Sequence, residues 1–548
     1  MEIEVPNFEN NAMKISSVVL AAALLLGAVP HCGAQTNRAE RLEWFRDQGF
    51  GLFIHWSVDG QLGGVISHTL VGASDDFVNR FYTELPRSFN PHKFSAPDLA
   101  ALAKLAGVRY VVFTAKHHSG FCMWDTATTE LNIMHTPFKR DVTAEILTAF
   151  REQGIAPGLY FSPDDFWWLR GHGKIIQRGM PDVQPINNPG LMEYDLAQVR
   201  ELMTKYGNLD VFFFDGQADK LRDLVWQLQP DTVVTRGVLQ TPEKTIPGQA
   251  IDAPWESNIT MGDGWQYQPT LENYKSGGQL IQMLIETRAK GGNLLLNVGP
   301  KPDGELPIEE EERLREMAEW MFVNGEAIYG VRPWAVVNDG DVWFTKKKNE
   351  DTVFAIVTTK QPWRLGEQRD VVLASVRATP ETTVGVLGQS DKALEYSRTV
   401  PKTTWKQEAD GLHVHFFQAQ RLRDNRQWQD PVVLKITRAS VAAELMVVET
   451  SGGSWTTNAT TATLTGYLRK LGTATAVKAG FEYRDITGLD TSERTGTWQE
   501  TEVSSLTAVG SYSVSVSGLK SGHSYEFRAV VQSGAQPGYG REMILKER

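Results

Sequence analysis

Asp215 stands directly after four apolar residues, Val211-Phe212-Phe213-Phe214, and directly before Gly216. A carboxylate so placed is carried to the end of a buried strand, where it serves as a nucleophile, a base or the N-cap of a following helix. Four other apolar runs deliver polar groups in the same way. His55 and Trp56 end the run from Phe50, and Lys116-His117-His118-Ser119-Gly120-Phe121 follows Tyr110–Thr114. Tyr160 and Ser162 close Pro157–Ser162, and Trp255-Glu256 lies beyond a later strand. Paired histidines suggest a metal, yet neighbours on a strand point to opposite faces. No HExxH pattern or second His/Cys cluster completes a zinc set. His55 taken alone is more often a satisfied core histidine, and Cys122, between Phe121 and Met123-Trp124, reads as an inert buried thiol.

The elements that must position these groups are legible between Phe50 and about Val331. Short continuous apolar runs alternate with amphipathic stretches, which predicts a parallel sheet buried on both faces. Ser95-Ala96-Pro97-Asp98 opens a helix that stops at Gly107, and further helices are expected over Thr143–Gln153, Leu191–Tyr206 and Ile308–Phe322. Strands are expected at Leu209–Phe214, Val233–Thr235 and Asn293–Val298. The span fits a (β/α)8-like barrel over residues 35–335 better than a doubly wound sheet, and no Gly-rich dinucleotide fingerprint follows the first strand. In such barrels chemistry sits where the strands end.

The texture then turns all-β. Short strands from Val342 to Thr437 predict a β-sandwich over 336–440. Ser451-Gly452-Gly453-Ser454 reads as a hinge. The Thr/Ser/Gly-rich remainder, 441–548, reads as a fibronectin type III-like all-β module, with Gly518-Leu519 and Tyr525 resembling its turn and tyrosine corner. At the other end, Met13-Lys14, the apolar run Val18–Val29 and Cys32-Gly33-Ala34 describe a secretory signal peptide, 1–34. The acidic residues Glu2, Glu4 and Glu9 do not suit a signal, so Met13 is the expected start. Cleavage after Ala34 removes Cys32 and leaves Cys122 without a disulfide partner. The product is expected to be exported, periplasmic or extracellular, with no membrane span. A formal net charge of −11 disfavours nucleic acid as a partner. Sixteen tryptophans suit sugar faces as well as cores.

Taken in order, Phe50-Gly51-Leu52-Phe53-Ile54-His55-Trp56, Lys116–Phe121, Phe214-Asp215-Gly216, Trp255-Glu256 and Asn293-Leu294-Leu295-Leu296-Asn297-Val298-Gly299-Pro300 resemble the α-L-fucosidases of glycoside hydrolase family 29. The resemblance spans about residues 38–335. It implies a retaining exo-hydrolase of fucosylated glycans, with Asp215 as nucleophile and Glu256 as acid/base. His55, His117 and His118 match positions that hydrogen-bond the sugar hydroxyls, and Tyr160 one beside the nucleophile. Arg236 matches a pocket arginine and Trp265 an aromatic near the sugar methyl, with Trp56 next to His55. The chain departs from the family in carrying Phe213 where many relatives have Trp. It has no Ser-Glu-Trp-like segment, for which Asp75 or Asp76 stands in. No metal or organic cofactor is implied. Two other readings stay open: a non-catalytic carbohydrate-binding protein on the same scaffold, and a metal-dependent hydrolase using His117 and His118. The partner of the last module is not legible.

Overall fold

The computed structural model describes residues 36–247, 250–270, 272–339, 341–358, 361–423, 425–441, 446–457, 460–487, 498–533, 536–540 and 542–545. The expected signal segment, with Met13 and Cys32, lies outside them. Among the described residues no helix is long and apolar enough to cross a membrane.

The apolar runs become the parallel strands β1 (Phe50–Ile54), β2 (Tyr110–Lys116), β3 (Gly158–Phe161), β4 (Val211–Phe214), β5 (Val233–Val234), β6 (Glu256–Thr260) and β7 (Asn293–Val298). They hydrogen-bond in the order β5-β4-β3-β2-β1-β7-β6, a curled half-barrel whose edges are β5 and β6. Isolated parallel bridges, Gln240↔Trp255 and Glu243↔Asn258, carry the segment after β5 across to β6. Every residue of the seven strands is buried, as a parallel sheet covered on both faces requires. Phe53, Tyr110, Tyr160, Val211, Phe213 and Leu295 pack together inside the curl. Gly51 is needed there, because a Cβ would collide with the Tyr110 ring.

Helices α1 (Ala39–Gln48), α2 (Asp75–Ser88), α3 (Ala96–Leu105), α4 (Val142–Glu152), α5 (Phe166–Gly171), α6 (Pro189–Lys205), α7 (Asp219–Leu228), α8 (Gly277–Ala289) and α9 (Ile308–Asn324) connect the strands. Their starts follow local chemistry. The Ser95 hydroxyl accepts the Asp98 N–H, Asp141 accepts that of Ala144, and Ser276 with Gln279 closes a reciprocal capping box. Helices α1, α2, α5, α7 and α8 and strand β6 are additions to the elements expected from sequence.

Residues 331–441 form antiparallel sheets whose apolar core is continuous with that of the barrel. The Trp320 indole of α9 ties the two by donating to the Pro431 carbonyl at 2.9 Å. From Met446 onward, two further antiparallel sheets enclose a separate core around Val448, Phe481 and Phe527. Ser451–Ser454 is not a hinge. It lies within the strand Met446–Trp455, where Gly452, Gly453 and Ser454 pair with Thr465, Leu464 and Thr463.

Candidate active site

The strand ends converge on a cavity of about 160 Å3. At about 30 Å3 per water, that is room for roughly five waters, or one sugar ring. Asp215 is set there by β4, its N–H bonded to the Phe161 carbonyl at 3.1 Å. Gly216 turns the chain away at a φ of 148°, a conformation that favours glycine. The Asp215 carboxylate is held from several sides. Tyr160 at the end of β3 donates its hydroxyl to Oδ2 at 2.8 Å. Arg236, just beyond β5, reaches Oδ1 at 3.1 Å, and Arg178 reaches the same oxygen at 3.2 Å. The Nε2 of His118 lies 3.4 Å from Oδ2. Burial alone raises the Asp215 carboxyl, but His118, the two guanidinium groups and the Tyr160 hydroxyl outweigh it and hold the group well below the usual carboxylate range.

The histidines are neutral by burial. His55 is lowered to about 4, and His117 and His118 also fall well below the ordinary value. Their tautomers follow from their partners. The Asn297 amide nitrogen donates to the Trp265 carbonyl at 2.6 Å, so its oxygen accepts from His55 Nδ1 at 2.6 Å and leaves His55 Nε2 an acceptor. His118 Nδ1 lies 2.5 Å from the Ser162 hydroxyl, which donates to the Asp164 carbonyl at 3.0 Å. His117 Nδ1 lies 2.8 Å from the Ser67 hydroxyl. Ser67 is fixed at a φ of 58° by its own N–H, which donates to Asp59 at 2.6 Å. Strand alternation does not separate the two histidines, because β2 ends at Lys116. Both rings line the cavity, with centroids 4.1 Å apart. Ligand atoms of His117, His118 and Asp215 lie within 4.8 Å of one another. A dication there would face Arg178 and Arg236 on the same carboxylate. Trp265, with its ring 5.0 Å from His55, joins Phe53, Phe213 and Ile66 as an apolar wall.

Asp215, His55, His117, His118, Tyr160, Arg236 and Trp265 thus meet in one cavity. Four expected residues do not. Glu256 is the first residue of β6, and its carboxylate accepts at 2.6 Å from the hydroxyl of Tyr110, the first residue of β2. Both strands start at the end of the half-barrel opposite the cavity. The four steps from Glu256 to Thr260 put it about 13 Å below the strand ends. It is fully buried there, and burial raises its carboxyl to about 7. Trp56 is a core side chain against Phe89 and Phe94, not a pocket wall. Asp75 opens α2 on the edge of a neighbouring groove, and Asp76 follows it on the exposed first turn.

The cavity contains three polar residues the sequence did not announce: His68, Arg178 and Glu243. Glu243 is half-exposed, lies in the segment between β5 and β6, and pairs with Arg236. The Arg236 guanidinium therefore spans two carboxylates, Asp215 and Glu243. Arg178 also binds Asp164 at 2.6 Å. Nothing in the spacing of these loops sets the three apart from surface polar residues.

A carboxylate kept ionised beside a second carboxyl, in a one-ring pocket of neutral histidines and aromatics, is the equipment of a hydrolase acting on a sugar acetal. The α-L-fucosidase family model matches residues 32–326. The chain is 31% identical over 364 residues to plasma alpha-L-fucosidase of Rattus norvegicus, covering 57% of this chain and 76% of that protein. It is 30% identical over 390 residues to an alpha-L-fucosidase of Branchiostoma floridae, covering 63% and 84%. Among solved structures, alpha-L-fucosidase isoenzyme 1 from Paenibacillus thiaminolyticus superposes with a TM-score of 0.60 at 26% identity, over 73% of this chain and all but 2% of that one, whose coverage is 98%. Thermotoga maritima alpha-fucosidase, in complex with a mechanism-based inhibitor, gives 0.58 at 26% identity, covering 74% and 100%. The chain belongs to the α-L-fucosidase family of glycoside hydrolases.

Proposed function

We propose that this α-L-fucosidase releases a single terminal fucose by double displacement with retention, Asp215 acting as nucleophile and Glu243 as acid/base. The observation that carries the reading is the Asp215 carboxylate, kept anionic at the mouth of the half-barrel and bridged to a second carboxylate by one guanidinium. Retaining enzymes need their two carboxyl groups only about 5–5.5 Å apart, a span one guanidinium covers. His55 Nε2 and the rings of His68 and His117 face the hydroxyl side of the sugar, and Trp265, Phe53 and Phe213 cover its deoxy methyl.

In the first step Asp215 attacks the anomeric carbon as the bond to the leaving oxygen breaks. Glu243 supplies that oxygen with its proton. An arriving fucose competes with Glu243 for Arg236, which frees the Glu243 carboxyl to turn to the leaving oxygen. Tyr160 and Arg178 hold Asp215 in the attacking orientation. In the second step Glu243 removes a proton from water, which displaces Asp215 and restores the starting configuration. The export of the protein, the closure of the barrel by the segment after β5, and the fibronectin type III-like character of 446–545 belong to the same reading. The last is supported by the Tyr525 hydroxyl, which accepts the Lys520 N–H at 2.9 Å, in the manner of a tyrosine corner. The test is proton NMR of 4-nitrophenyl α-L-fucoside hydrolysis. α-L-Fucose is expected as the first anomer formed; β-L-fucose first, or no turnover, would contradict the proposal.

A further inference from the structure

Ser67 lies in the loop between β1 and α2 and is fully buried, yet its φ is 58°, a conformation that a residue with a β-carbon rarely adopts. Its N–H donates to the buried Asp59 carboxylate at 2.6 Å, which holds the turn in place. A glycine would meet no strain at this φ, so what the serine adds is its hydroxyl. That hydroxyl latches the loop after β2. Its oxygen accepts the Ser119 N–H at 2.9 Å and lies 2.8 Å from His117 Nδ1. Ser119 is the donor in the first contact, so the hydroxyl proton must go elsewhere. Among the described residues His117 Nδ1 is the acceptor it can reach, and a buried O–H left without one would cost free energy. Burial and the charges of three neighbouring histidines keep the His117 ring neutral. With Nδ1 accepting, the ring proton sits on Nε2, the nitrogen left for the pocket.

We propose that Ser67 is a positioning residue of this pocket: by donating to His117 Nδ1 it fixes the Nε2–H tautomer and makes His117 a hydrogen-bond donor to one hydroxyl of the bound sugar. The inference rests on the reading of the pocket as the fucose site. His55 is set the opposite way, because Asn297 accepts its Nδ1–H and leaves Nε2 bare. The two rings stand 5.9 Å apart, centroid to centroid, so the pocket offers an acceptor and a donor side by side. Sugar hydroxyls donate and accept, and satisfy both. The other tautomer of His117 would set two bare nitrogens against the sugar and leave the Ser67 proton without an acceptor. Ser67 is outside the cavity lining and acts through His117. The turn at Ser67 also brings His68, the next residue, to the pocket, a task its backbone performs without the hydroxyl.

The test uses the full chain and its Ser67→Gly and Ser67→Ala variants. Glycine removes the hydroxyl and keeps the turn without strain, so Ser67→Gly should fold. The substrates are 4-nitrophenyl α-L-fucoside and its 2-, 3- and 4-deoxy analogues. Both variants are expected to lower kcat/KM for the parent fucoside roughly three- to tenfold. In the unsubstituted enzyme, each deoxy analogue measures the penalty for losing one hydroxyl. In Ser67→Gly the penalty for one hydroxyl alone, the one His117 serves, should shrink by the same factor. With 15N-labelled histidine and His117→Gln to assign the signal, NMR at pH 7 should find His117 as the Nε2–H tautomer, and as a mixture of tautomers in Ser67→Gly. The Nδ1–H tautomer in the unsubstituted protein would overturn the proposal. So would unchanged penalties for all three hydroxyls, since the serine would then merely support the loop. A loss in Ser67→Ala that Ser67→Gly does not share would assign the position to backbone strain and overturn it too. Failure of the unsubstituted enzyme to cleave the parent fucoside is a separate result, and sinks the fucose pocket together with the role of Ser67.

Discussion

Arg236 is shared between Asp215 and Glu243, and that sharing distinguishes two glutamates that look alike in sequence. Glu243 lines the sugar pocket; Glu256 accepts from Tyr110 at the far end of the strands. Exchange of Glu243 for Gln is therefore expected to depend on the leaving group. A sugar alcohol leaves only when protonated, so glycan hydrolysis should fall by about 10²–10⁴-fold. A nitrophenolate leaves unaided, so its first step should suffer far less, and added azide should restore turnover by giving the α-fucosyl azide. Glu256→Gln should show no such dependence. Pre-steady-state rates on both substrates check this, and leaving-group dependence in Glu256→Gln alone would return the role to Glu256.

Strand β6 explains why Glu256 was misplaced. Its residues, Glu256-Ser257-Asn258-Ile259-Thr260, carry little of the apolar continuity that marks β1, β2, β4 and β7, so sequence puts Trp255-Glu256 after a strand rather than at the head of one. Burial raises the Glu256 carboxyl from 4.5 to about 7, so the folded chain holds a proton that the unfolded chain has lost between those values. This contribution is fully present below pH 4.5 and is lost as pH rises through about 7. Replacement by Gln removes it, so Glu256→Gln should gain stability relative to the unsubstituted protein between pH 5 and pH 8, by at most about 3 kcal/mol. Urea melts across that range check the slope; a gap that narrows with rising pH would show that Glu256 is ionised in the fold. The strands that position Asp215, His55 and Tyr160 were legible because burial on both faces demands unbroken apolar runs. Arg178 and Glu243 were not, because long loops carry no periodicity, and Arg178 meets Asp215 and Glu243 meets Arg236 only once the sheet has curled. His117 and His118 were legible as types but not in direction, because alternation fails past the end of β2.

At the scale of the whole molecule, the division of the core assigns the chemistry to the first part of the chain. The half-barrel and residues 331–441 share one apolar core, whereas the sheets from Met446 onward enclose their own. Every cavity residue invoked here lies between Phe53 and Trp265. Double displacement requires Asp215 to form a bond to the sugar, and 2-deoxy-2-fluoro-L-fucosyl fluoride tests this most directly. The fluorine at C2 slows both displacements, while the fluoride leaving group allows the first, so the fucosyl-enzyme should accumulate. Peptide mass spectrometry of the inactivated protein should find the fluorofucosyl group on the peptide containing Asp215, and Asp215→Gly should remain unlabelled. Labelling at Glu243 or Glu256, or turnover of the probe with no covalent adduct, would contradict the account.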